Sequence, residues 1–373
     1  GVDGRRARQV RSRFVVTLGD GVAEVILWHD STLTNLTGRP TVTSRLTSDR
    51  ALMKMVLMLV SVGRMCLLAC LLPLIAAAAC ANAGPAASTE TKHPGRLSVV
   101  AAFYPFQFVA QRVAGDHATV SSLTPPGAEP HDLELTPRQV ASLTTASLVI
   151  YQNGFQPAVD EAVVQSGAEE VIDTSKVVPL RPLPTTEDDH DHGPNGPGEQ
   201  ELDQHVWLDP TSVAGIARTV QERLSTLDPD HAADYAHNAD ALDEELDNLD
   251  RSFRKGLARC VRTEFITTHA AFGYLATRYH LTQIGISGLS PDAEPSPARI
   301  AEVQREATDH KLTTIFYETL VSPAVAEAIA GDLGLATDVL DPVEGITSQS
   351  RGQDYFSVMD ANLAALRKAG GCS

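Results

Sequence analysis

Strand–helix alternation runs twice along this chain, once on each side of a single long amphipathic helix. In "DHAADYAHNADALDEELDNLDRSFRKGLARC" the apolar residues Leu242, Leu246, Leu249, Phe253 and Leu257 recur at spacings of three and four. That pattern is one face of a helix about 25 residues long. Before it, "LSVVAAF" (97–103), "ATVSSL" (118–123), "SLVIY" (147–151) and "EVIDTS" (170–175) read as strands, and "FQFVAQRVAG" reads as a helix. "TPRQVASLTTA" places Thr136 at an N-cap and Pro137 at the first helical position. After it, "EFITTH" (264–269), "LTQIGIS" (281–287), "TTIFYE" (313–318) and "TDVLD" (337–341) read as strands, with helices beginning at Ser296-Pro297 and Ser322-Pro323. The expected class is therefore α/β: two α/β lobes with mainly parallel sheets, joined by one long rigid linking helix. The boundaries are an N-terminal lobe over 97–230, a linking helix over 231–258 and a C-terminal lobe over 259–373. A helical strut predicts limited hinge bending.

The segment ahead of the lobes is not expected to carry a fold. Residues 1–52 begin with Gly and include the basic "GRRARQVRSR"; they read as an upstream extension without order. Residues 53–80, "MKMVLMLVSVGRMCLLACLLPLIAAAAC", carry basic Lys54 and Arg64, an apolar stretch, and small residues before Cys80. The apolar stretch is about 15 residues where a span needs about 20, so it reads as an export signal. Cys80 after three alanines resembles a lipobox, which makes Cys80 the candidate lipidation site; "LLAC" ending at Cys70 is the rival. Residues 81–96 are a small, polar tether. Export leads to an oxidising compartment, and of five cysteines only Cys260 and Cys372 follow the signal. They are expected to pair; the alternative is two buried free thiols. With 47 Asp+Glu against 30 Lys+Arg, the chain is not expected to bind nucleic acid.

Candidate ligands concentrate in four places. "LTPPGAEPHDLELTP" holds His131, "DQHVWLDP" holds His205, and "TTHAAFGYLA" puts His269 at a strand end. "FYETLVSP" and "VLDPVEGIT" place Glu318, Asp341 and Glu344 at strand ends. Ligands of open α/β sheets bind outside the carboxyl ends of strands, so these positions converge if they line a cleft between the lobes. Imidazole with carboxylate suits Zn²⁺. The sequence contains no C-x-x-C, HExxH, GxSxG or P-loop. Trp207 reads as core packing, and Phe103, Tyr104 and Phe272 as cleft walls. His231, His237, His280 and His310 sit in helical or exposed contexts.

"PPGAEPHD", "HVWLDP", "HAAFGY" and "LDPVEGIT", in this order, resemble the zinc/manganese solute-binding proteins of ABC transporters, over roughly residues 97–370. The resemblance implies an extracytoplasmic receptor, lipid-anchored and monomeric, that captures Zn²⁺ between its lobes and delivers it to an ABC permease, with no catalysis. It implies four ligands: His131, His205, His269 and Glu344, with Asp341 the runner-up for the fourth. His269 favours zinc over manganese, since members that prefer manganese tend to carry a carboxylate there. His190 and His192, in the acidic loop 185–204, resemble the His-rich loop of zinc-specific members; the loop is a zinc-gathering arm or simply solvated. The rivals are a manganese receptor, a surface adhesin and a zinc hydrolase, the last with Glu318 as its base.

Overall fold

The chain divides into two units, Gly1–Glu90 and Thr91–Ser373. The computed structural model describes residues 10–18, 21–29, 96–183 and 201–373. In the first unit, β1 (Val10–Leu18) pairs antiparallel with β2 (Gly21–His29). The signal 53–80 with Cys80, nearly all of the tether, and loop residues His190 and His192 lie outside the described residues.

The second unit holds two lobes. In the first, β3 (Leu97–Ala101) is followed by α1 (Tyr104–Ala114), β4 (Ala118–Ser122), α2 (Pro137–Thr144), β5 (Leu148–Tyr151), α3 (Pro157–Ser166) and β6 (Val171–Asp173). The strands form a parallel sheet in the order β4-β3-β5-β6, with Val99 opposite both Val120 and Leu148. Thr136 caps α2 in a full capping box with Gln139, and Pro137 opens the helix. The strand foreseen over 170–175 stops at Asp173. Its carboxylate accepts the Ser175 N–H at 3.1 Å and turns the chain into one 3₁₀ turn. A short antiparallel pair, β7 (Arg181–Pro182) and β8 (Leu202–Asp203), leads to α4 (Pro210–Leu227), capped by Asp209.

The linking helix is α5 (Ala232–Leu257). Its buried face holds Tyr235, Leu242, Leu246, Leu249, Phe253 and Leu257, so the apolar spacing finds its partner surface in α1, α4 and the C-terminal helix. The second lobe follows with β9 (Glu264–Thr267), α6 (Gly273–Tyr279), β10 (Thr282–Gly285), α7 (Pro297–Asp309), β11 (Thr314–Tyr317), α8 (Ala324–Leu333), β12 (Ala336–Val339) and α9 (Tyr355–Gly370). Its parallel sheet runs β10-β9-β11-β12. Ser296 caps α7. The helix expected at Ser322-Pro323 starts one residue later, because Pro323 takes the cap position and the Ser322 hydroxyl accepts from the Ala324 N–H.

One apolar core runs continuously under both lobes. It joins Val100, Ile150, Phe155 and Trp207 of the first to Phe265, Phe272, Tyr274, Tyr355 and Val358 of the second through the buried face of α5. A second cluster, including Ile266, Ile284, Ile315 and Ile329, covers the other face of the second sheet. Cys260, just past α5, is disulfide-bonded to Cys372 near the chain end. Among the described residues no helix is long and apolar enough to cross a membrane.

Candidate metal centre

Four side chains meet between the lobes at the carboxyl ends of the sheets. One ligand atom from each of His131, His205, His269 and Glu344 lies within 4.8 Å of the others. His131 comes from the loop after β4. Gln156 fixes that loop by donating to the Pro130 carbonyl and to Thr124 Oγ1, both at 3.0 Å. His205 follows β8, and the Gln152 amide holds the preceding Gln204 carbonyl. His269 stands two residues past β9, its carbonyl accepting from Thr267 Oγ1 and Gln283 Nε2. Glu344 lies in the loop after β12.

Each histidine turns Nε2 toward the same oxygen: Glu344 Oε1 is 3.6 Å from His131, 3.3 Å from His205 and 3.9 Å from His269. The three Nε2 atoms and both Glu344 oxygens are buried and have no hydrogen-bond partner. Glu344 is 0 % exposed. Five converging polar atoms left without partners in a buried site are costly to a fold unless a ligand satisfies them.

The other ring nitrogens are tied down. His205 Nδ1 lies 2.9 Å from Asp203 Oδ1, and His269 Nδ1 lies 2.6 Å from Glu318 Oε1. Each carboxylate takes a ring N–H, which leaves Nε2 as the nitrogen facing Glu344 and the one open to a metal. Asp203 was not legible as a partner, although the D-x-H spacing of "DQHVW" carried the signal. Phe155, also unforeseen, is an aromatic ring in contact with the site, 4.4 Å from the His131 ring, and Trp207 lies 5.2 Å from the His205 ring. Phe103 packs behind Phe155 at 4.6 Å. Trp207 is fully buried in the core, and its Nε1–H donates to the Pro342 carbonyl across the lobes at 2.7 Å.

The electrostatics fit a cation. Burial pushes Glu344 toward its neutral form, but His131, His205 and His269 more than offset it and hold the carboxyl well below the usual range. Burial lowers the His205 imidazole, and Asp203 and Glu344 reverse this, raising it to about 9. Without metal, a proton on His205 therefore balances Glu344. Glu129, whose Oε1 accepts the His131 backbone N–H, is pushed up to about 9 by burial and by the Glu344 charge.

Asp341 stands apart from the cluster. Its Oδ1 accepts the Val343 N–H at 2.8 Å and its Oδ2 accepts from Thr319 Oγ1 at 3.0 Å. His231 pairs with Asp228, and His310 with Glu264.

A family model described as the periplasmic zinc-uptake complex component A, ZnuA, matches residues 99–369. The zinc-binding lipoprotein AdcA of Streptococcus pneumoniae is 36 % identical over 301 residues, 79 % of this chain and 60 % of that protein. The chain thus matches only about three fifths of that relative's length. The high-affinity zinc uptake system protein ZnuA of Bacillus subtilis is 33 % identical over 296 residues, 78 % of this chain and 92 % of that protein. Among solved structures, the Zn(II)-bound ZnuA-like domain of Streptococcus pneumoniae AdcA is similar with a TM-score of 0.62 at 35 % identity, covering 74 % of this chain and 99 % of that one. With the match running through both lobes and all four converging side chains, the chain belongs to the ZnuA family of zinc-uptake components.

Proposed function

We propose that the chain is an extracytoplasmic receptor that captures Zn²⁺ through His131, His205, His269 and Glu344 and delivers it to an ABC permease. The observation that carries this is the set of five buried, partnerless polar atoms converging between the lobes. Three imidazoles and one carboxylate satisfy tetrahedral zinc; a manganese site would take more oxygen. His131 and His205 come from the first lobe, His269 and Glu344 from the second, so the ion ties the lobes into the form the permease recognises.

A hydrolase reading finds no support in Glu318, the base named for it. That carboxylate is 2 % exposed and its Oε1 is engaged with His269 Nδ1, so it orients a ring of the site. Lipid attachment at Cys80 completes the proposal, in keeping with the lipoprotein name of the pneumococcal relative. His190 and His192 act as a zinc-gathering arm.

The test is a chelator-competition titration of the metal-stripped chain with Zn²⁺ and Mn²⁺, beside His269→Ala and Glu344→Ala. Tight one-to-one zinc binding, weakened strongly in both variants, is expected. A manganese preference, or affinity indifferent to His269, would refute the proposal.

A further inference from the structure

Glu344 is aimed by a turn whose geometry is unusual. Val343 has φ +61, a left-handed conformation that a β-branched residue rarely adopts, and it is fully buried. Such a conformation persists only where the surroundings over-determine it. Here they do. The Asp341 carboxylate accepts the Val343 N–H on one oxygen and the Thr319 hydroxyl on the other. Asn362 on α9 brackets the Asp341 backbone, accepting its N–H at 2.9 Å and donating to its carbonyl at 2.7 Å. From the opposite lobe, the Trp207 indole donates to the Pro342 carbonyl at 2.7 Å. Every residue from 341 to 343 is therefore bolted, and the next one is the ligand.

We infer that Asp341 is a positioning residue: it holds Val343 in its left-handed turn so that Glu344 points at the three histidines before any metal arrives. Asp341 and Asn362 are each 2 % exposed, and the polar contacts of the Asp341 carboxylate are with the Val343 N–H and the Thr319 and Ser350 hydroxyls, not with the histidine cluster. The role requires an oxygen acceptor for the Val343 N–H but no negative charge. A ligand would require the charge. Asparagine keeps the acceptor and removes the charge, so it separates the two roles. The inference rests on zinc capture at the four-residue cluster.

The experiment measures zinc affinity by chelator competition, with the full chain, in the unmodified protein and in Asp341→Asn, Asp341→Ala and Glu344→Gln. The Co²⁺ ligand-field spectrum serves as a second readout. The expected result is Asp341→Asn within about threefold of the unmodified protein, and Asp341→Ala weaker by roughly 10- to 100-fold at unchanged stoichiometry. The Co²⁺ spectrum should stay tetrahedral in Asp341→Asn and change in Asp341→Ala. Equal losses in Asp341→Asn and Asp341→Ala, or no loss in Asp341→Ala, would overturn the role. If Asp341→Ala does not fold, Asp341→Asn against Glu344→Gln decides: near-native affinity supports positioning, and a loss as large as that of Glu344→Gln overturns it. Absence of zinc binding by the unmodified protein would instead refute the capture function itself.

Discussion

Zinc uptake should release a proton, and its affinity should follow pH with a slope set by one residue. In the metal-free site His205 is raised to about 9, so at pH 7 it carries the proton that zinc must displace. Glu344 is held well below the usual carboxylate range and stays ionised throughout, contributing none. Below about pH 9 the apparent affinity should therefore fall about tenfold per pH unit, or about 100-fold between pH 8 and pH 6, equivalent to about 2.7 kcal/mol. The same group acts oppositely on the metal-free fold. Its folded value lies above its unfolded one, so its stabilisation is fully present below about pH 6.5 and fades as pH rises through about 9. That contribution is on the order of 3 kcal/mol. The metal-free protein should thus melt lower at pH 9 than at pH 6.5, while zinc stabilises it more at pH 9. Calorimetric titration at pH 7 in two buffers of different ionisation enthalpy counts the protons, and about one per zinc is expected. A flat affinity from pH 8 to pH 6 with no proton released would refute the charge balance between His205 and Glu344.

Other consequences are equally measurable. Asp203→Asn removes one of the two groups that raise His205, so the pH slope should set in at a lower pH; with the orienting carboxylate gone, zinc affinity above about pH 9, where no proton competes, should fall about tenfold. Glu318→Ala frees the His269 ring and should weaken zinc roughly 10- to 100-fold in the same competition assay. Arg278→Met strips a donor from Asp250, which is 7 % exposed on α5, and from the helix cap Asp209, while Arg254 and the Tyr279 hydroxyl still hold Asp250; chemical denaturation should show a loss of about 2 kcal/mol. Replacing Cys260 and Cys372 by Ser opens a link between residues 112 apart in sequence. Thermal melts should drop by about 10 °C, with zinc affinity unchanged.

The lobes were legible because their signals are local. Apolar runs ended by polar residues mark strands, and Thr136-Pro137 and Ser296-Pro297 mark helix starts whatever the tertiary context. The long helix was legible because its apolar face faces α1, α4 and α9 along its whole length. The three histidines of the cluster were recognisable through their motifs, but their convergence was not, since it depends on how four loops from two sheets meet. The supports were least visible. Asp203, Phe155 and the left-handed Val343 act through contacts between segments far apart in sequence, such as Trp207 with Pro342 and Asn362 with Asp341. Nothing in a local pattern distinguishes Asp341, which braces a turn, from Glu344 three residues later, which faces the histidines.

The most direct test of the central claim is zinc K-edge absorption spectroscopy on the protein loaded with one equivalent of Zn²⁺. The expected shell is four-coordinate, three imidazole nitrogens at about 2.0 Å and one carboxylate oxygen at about 2.0–2.2 Å, with one imidazole lost in His269→Ala. A five- or six-coordinate oxygen-rich shell, or a spectrum unchanged in His269→Ala, would contradict it.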